Sequence, residues 1–155
     1  MRDNSLNVQS STVNVQRSIL AAYDLEERLL DFAARIIRPA EQLPNTRAGN
    51  HIAGHLLRSG TSPLPNHGEA QAAESRDDFI HKFSICLKEL RESCRWLRLI
   101  VRVPLLKDLT ETKALILENE ELIEIFARSI RTTKGNKIRH SKFNVERSTF
   151  KDTLP

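Results

Sequence analysis

Apolar residues recur every three or four positions in four separate stretches, which at about 100° per residue places each set on one side of a helix. In the first stretch Leu25, Leu29, Phe32, Ile36, Ala40 and Leu43 follow this spacing. Asp24, with Glu27 three residues later, reads as a capping box at its start. Pro44 ends it, and Pro39 lies inside it, where loss of an N–H and a clash with the preceding turn predict a bend near Ile36 rather than two helices. A second stretch opens after the cap residues Asn45 and Thr46 and carries Ile52, Leu56 and Leu57 toward Gly60, Pro63 and Pro65. It is either a helix broken near Gly60 or one long kinked helix reaching about Ala73. If the helical phase survives the kink, His51, His55, Arg58, Ser62, Asn66 and Glu69 share a polar stripe. That stripe is either solvated or, in Arg58, Ser62, Asn66 and Glu69, a hydrogen-bond network between helices.

Ser75 caps the third stretch, with Asp77 and Asp78 in the first turn, where carboxylates favour the positive end of the helix dipole. Phe79, Phe83, Cys86, Leu90, Cys94, Leu97 and Val101 form its core stripe. Ile85, Trp96, Leu99, Ile100 and Val103 make a second apolar set on roughly the other side. A helix in a monomeric bundle needs one such stripe, so the second must be covered within the domain or by another subunit. These five residues are therefore the candidate oligomer interface. The fourth stretch begins after Pro104 and a short connection through Asp108. Its inner face is Leu115, Ile116, Leu122, Ile123, Phe126 and Ile130, and Gly135 is a reasonable stop. Nothing alternates as strands do. Short connections between long helices predict an all-α protein, an antiparallel up-and-down four-helix bundle with a kinked second helix.

A chain of 155 residues suits one domain and removes about two thirds of its unfolded surface from water, so no disulfide or metal is needed to hold it. Cys86 and Cys94 are eight residues apart on one helix, or roughly 12 Å. They are too distant to pair, because bridged Cα atoms lie within about 7 Å, and a reducing, cytoplasmic home is the simplest reading. The first residues lack a signal-peptide core, and no apolar run is long enough to span a membrane. The domain organisation expected is a flexible polar tail over residues 1–16, the bundle over 17–134 and a flexible basic tail over 135–155. That last tail holds Lys137, Arg139, Lys142, Arg147 and Lys151 against Glu146 and Asp152, or +3 of the net charge of +4. The bundle is almost neutral.

Candidate chemistry is sparse. His51 and His55 have metal-sharing spacing, but the sequence lacks the HExxH glutamate and a third ligand nearby. His67 with Glu69, or Asp77 with Asp78, could exchange protons, although such neighbours at helix ends are usually solvated or capping. No phosphate-cradling glycine loop and no nucleophile elbow is present. We therefore expect no enzyme, no cofactor, no metal and no small-molecule substrate. Arg91, Arg95, Arg98 and Arg102 are the better electrostatic candidate, since steps of four, three and four align them in one strip. They could bind phosphates of a nucleic acid, or pair across a subunit contact with Glu118, Glu120, Glu121 or Glu124.

The segments YDLEERLLDFAARII and AGNHIAGHLLRSGTSPLPNHGEAQAAESRDDFIHKFSICLKELRESCRWL together resemble a bacterial four-helix bundle family. Its founding members are encoded in intervening sequences of 23S ribosomal RNA genes. The resemblance runs from about Tyr23 to Lys134. It rests on the combination of Arg58-Ser59, Ser62-Pro63, Asn66, Glu69, Ser75, Asp78-Phe79, Lys82, the Leu87 to Glu92 run and Trp96-Leu97. Pro39, Pro65 and His67 depart from the family pattern. The resemblance implies an antiparallel bundle, in some members a homopentamer, with no defined biochemical role. It also implies a kinship to the accessory subunit of reverse transcriptases in diversity-generating retroelements, which engages nucleic acid and polymerase. The expectation is a non-enzymatic, self-associating structural or scaffold protein. The alternative is a nucleic-acid-binding accessory module, associated with the ribosome or a reverse transcriptase, with RNA, DNA or a protein as partner.

Overall fold

The computed structural model describes the backbone of residues 5–151 and the side chains of residues 24–135. Five helical segments follow in order: α1 (Ser5–Gln42), α2 (Arg47–Thr61), α3 (Pro63–Gln71), α4 (Arg76–Arg102) and α5 (Thr110–Lys151). Segments α2 and α3 are two halves of one kinked rod, so the architecture is a four-helix bundle without strands among the described residues.

Helix α1 passes through Asp24, which corrects the capping box proposed there. A cap-like pair does not compel a start, since an aspartate inside a helix costs only a few tenths of a kcal/mol. Pro39 is buried within α1, and the helix continues to Gln42 as one element. The Thr46 side chain accepts from Gly49 N at 3.1 Å and caps α2. At the kink, Ser62 N still bonds Arg58 O at 3.1 Å and Asn66 N bonds Ser62 O at 3.3 Å. Pro63 and Pro65 have no N–H, so alternate rungs of this ladder are missing and the phase survives with a weakened joint. Gly60 is not the breaker. A Cβ there would sit 2.7 Å from Ile36 Cγ2, so its role is to let α2 approach α1 closely.

The Ser75 side chain accepts from Asp78 N at 3.1 Å and begins α4. The last turn closes through Val103 N to Leu99 O at 3.0 Å, just before Pro104. Asp108 Oδ1 accepts from Thr110 N at 2.8 Å at the start of α5. That bonding, led by the Thr110 side chain, holds the Asp108 carboxyl below its usual range. Helix α5 does not stop at Gly135, whose φ is not positive; glycine ends a helix only when it takes the left-handed conformation. The expected flexible tails, 1–16 and 135–155, fall mostly on residues whose side chains lie outside the described set. The helical backbone of α1 and α5 enters both.

Helix contacts close a ring of α1, α2–α3, α4 and α5, and among the described residues the backbones of α1 and α4, and of α2 and α5, do not approach one another across the diagonals. Ion pairs give the directions. Arg28 meets Glu118 and Glu121 while Arg35 meets Glu111, so α1 and α5 run antiparallel. Arg58 with Glu92 and Glu69 with Lys82 show the same for α2–α3 against α4. Phe32, Ile36, Leu56, Leu90, Leu97, Leu115, Leu122 and Phe126, all inaccessible to solvent, fill the centre. Each fully buried side chain of this size contributes about 1.5–3 kcal/mol by transfer from water.

Candidate interaction surface

The arginine row lies along the outside of α4. Arg91, Arg95, Arg98 and Arg102 are all exposed, and Arg95 reaches no further than its own helix, donating to Arg91 O at 3.5 Å. No ion pair involves these four among the described residues. Two of the acids expected to answer them face the other way. Glu118 and Glu121 each lie 2.8 Å from Arg28 on α1, because residues 118 and 121 fall on the α1 side of α5 at 100° per residue. Glu120 and Glu124 are exposed. Between Arg95, Arg98 and Arg102 the surface dips into a shallow depression whose floor is Leu99, Val101 and Ile116. Leu99 is 37% exposed, and Val103 at the end of the helix is 51% exposed.

The second apolar set of α4 divides. Ile100 is a core residue with no exposed surface, which corrects its assignment to an oligomer interface. It follows Leu97 by three positions, about 60° around the helix, and so remains within a core stripe about 100° wide. Trp96 is half-buried within the chain, its ring stacked on His55 at 4.9 Å and edge-on to His51 at 5.9 Å. Ile85 is half-buried as well. Much of this face is thus covered by the protein's own second rod, and Leu99 and Val103 are the two members left exposed.

The polar stripe of α2 and α3 is continuous in phase but not in bonding. At one end Glu92 of α4 is a hub: it accepts from Arg58 Nη2 at 3.0 Å and from Trp96 Nε1 at 3.4 Å, with His55 Nδ1 at 3.6 Å. The Trp96 and Arg58 hydrogen bonds hold the Glu92 carboxyl below its usual range. Among the described residues Ser62 and Asn66 bond only within their own rod, Asn66 Nδ2 donating to Ser62 O at 2.9 Å and to Ser62 Oγ at 3.1 Å. At the other end Glu69 pairs with Lys82. Arg58 and Glu69 therefore join two rods, whereas Ser62 and Asn66 support the proline joint.

Three buried polar residues, Ser93 on α4 and Thr112 and Asn119 on α5, escaped a reading based on apolar periodicity. Thr112 and Asn119 occupy core positions of α5, in step with Leu115, Leu122 and Phe126. The signal was a gap of seven between Leu115 and Leu122, which leaves Asn119 at the helical repeat. Ile116 and Ile123, expected on the inner face, are partly buried beside the core.

Among the described residues no group of three His, Cys, Asp or Glu side chains is placed to hold a metal, and no helix is long and apolar enough to cross a membrane. Burial pushes the Cys86 thiol up to about 12 and raises that of Cys94, the opposite of what a reactive thiolate requires.

No protein-family model matches the chain, and neither does any curated protein. A solved structure from Bacteroides thetaiotaomicron VPI-5482, described as a protein with unknown function from the S23 ribosomal protein family, is similar in fold and sequence. The match has a TM-score of 0.64 and 31% identity, and it covers 71% of this chain and 97% of that one. Identity at that level over nearly the whole of the relative goes with the shared bundle, and the chain belongs to the S23 ribosomal protein family.

Proposed function

We propose that this protein is a non-enzymatic bundle that associates with further copies of itself and acts as a structural or scaffold element. The observation that carries the reading is the C-terminal half of α4, where Leu99 and Val103 remain exposed beside a floor of Val101 and Ile116. Scattered surface apolar residues are ordinary, but here they adjoin three arginines that have no ion pair among the described residues. A second copy supplies both an apolar cover and carboxylates, Glu120 and Glu124 among those exposed. Five copies is the number implied by the sequence resemblance, and repetition around a ring multiplies a weak contact without any new one. Light scattering on the full chain tests this: a mass several times that of one chain is expected, reduced by Leu99→Glu with Val103→Glu. A monomer at all concentrations rejects the reading.

One observation favours a second reading, in which the oligomer is an accessory that binds RNA or DNA. The row from Arg91 to Arg102 is exposed and free of carboxylate partners among the described residues, as phosphate contacts require. Retention of nucleic acid at low salt, lost as salt rises and abolished by Arg95→Glu with Arg98→Glu, supports it. Retention unchanged by those substitutions removes it.

A further inference from the structure

We propose that the outward face of α1 receives the arginine-bearing face of α4 from the next copy of the chain, so that copies join head to tail in a closed ring; this rests on the self-association proposed above and gives the arginine face its partner surface. Leu30 and Ile37 of α1 are 50% and 47% exposed, with exposed Ala34 between them. Steps of four and three put these residues on one stripe, turned away from the core residues Leu29, Phe32 and Ile36. Glu26, Glu27 and Glu41 flank the stripe, all exposed and without an ion pair among the described residues.

The two faces are alike in apolar content and opposite in charge. On α4, Leu99 and Val103 stand beside Arg91, Arg95, Arg98 and Arg102. Helices α1 and α4 occupy opposite corners of the bundle, so their outward faces cannot meet within one chain. A two-fold contact would lay each face on its own copy, carboxylates against carboxylates or arginines against arginines, which is repulsive. Head-to-tail contact joins the acidic face to the basic one. Leu117 of α5 is also exposed, near Glu120 and Glu124, but it is a single apolar residue with exposed Lys113 one turn before it. It offers no apolar stripe to match Leu99 and Val103.

The heights of the two faces match. Arg28 of α1 bonds Glu118 of α5, and the next residue of α5, Asn119, bonds Ser93 of α4. Arg28 and Ser93 therefore lie at about the same level along the bundle. Ser93 with Asn119 and Arg76 with Thr133 show α4 antiparallel to α5, as α1 is, so α1 and α4 run the same way. At an equal rise of about 1.5 Å per residue, Glu26 is then level with Arg91, Ala34 with Leu99, and Ile37 with Arg102 and Val103, to within about a turn. Copies related by rotation about an axis along the helices bring these residues together without a shift. A contact without a shift is the condition for a ring, whereas a shift would build an open helical filament.

The test is light scattering on the full chain. Leu30→Lys with Ile37→Lys sets cations opposite the arginines, and Leu99→Glu with Val103→Glu sets carboxylates opposite Glu26 and Glu27. Each double variant should fall to the mass of one chain with unchanged helicity by circular dichroism. Mixed, they should recover at least twice that mass, because each brings one intact face. Glu26→Lys with Glu27→Lys alters only exposed charges and serves if the first variant does not fold; it should also lower the mass, and Arg91→Glu with Arg95→Glu in the same chain should restore it. A wild-type monomer removes the self-association reading and this contact with it. Self-association stands and the α1 contact is overturned if the α1 variants keep the wild-type mass, if Leu117→Lys disperses the oligomer and they do not, or if the mixture stays at the mass of one chain. A wild-type mass that keeps growing with concentration overturns the ring.

Discussion

Asn119 donates from Nδ2 to Ser93 Oγ at 2.9 Å, and both side chains are fully buried between α4 and α5. Ser93 passes its own proton to Leu90 O at 3.0 Å, while Asn119 Oδ1 has no hydrogen-bond partner among the described residues. This pair occupies a core layer where an aliphatic pair would pack without polar cost. Ser93→Ala leaves the whole Asn119 amide unmet and should cost about 1–3 kcal/mol in urea unfolding, whereas Asn119→Leu should be neutral or stabilising by about 1 kcal/mol. A neutral Ser93→Ala would show that the amide finds another partner.

Close approach of the first two rods predicts a steric response at Gly60. With Ile36 Cγ2 2.7 Å from the site of a new Cβ, Gly60→Ala should destabilise by about 1–3 kcal/mol. Ile36→Ala, which removes both Cγ atoms, should cost less on the Gly60→Ala background than in the wild type, so that the two changes are not additive in thermal melts. Additive melts would refute the contact as the cause.

Glu92 predicts an acid-side loss of stability. Its carboxyl is held below the usual range in the folded protein, first by Trp96 and then by Arg58. Its contribution is therefore complete above the ordinary carboxylate pKa and disappears as pH falls through the lowered folded value. Because the group is largely solvent-screened, Glu92→Gln should cost no more than about 0.2–1 kcal/mol at neutral pH, with the difference from wild type fading in acid. A difference that grows toward low pH would contradict this sign.

The thiols give a simple probe of the core. With Cys86 pushed up to about 12 and wholly buried, and Cys94 raised as well, neither should react with a disulfide reagent at pH 8 while the bundle is folded. Both should react once urea unfolds it. Fast labelling of the native protein at Cys86 would mean that α4 opens without global unfolding.

Apolar spacing alone specified the rods, because a stripe repeating every three or four residues can be buried only on a helix. Caps at Thr46 and Ser75 were equally legible, since each acts on neighbouring backbone, whereas the second rod could be read as broken near Gly60 or as one kinked helix and only the structure placed the joint at Ser62 to Pro65. Local signals misled where their consequence was weak or conditional: the pair Asp24 and Glu27 did not start a helix, and Gly135 did not end one. Tertiary structure decided what depends on distance across the bundle. It turned Glu118 and Glu121 toward Arg28 and away from the arginine row, placed Ile100 in the core, set Gly60 against Ile36, and enclosed Asn119 and His67. None of these follows from periodicity, because a helix repeat states which residues share a side but not which rod faces that side.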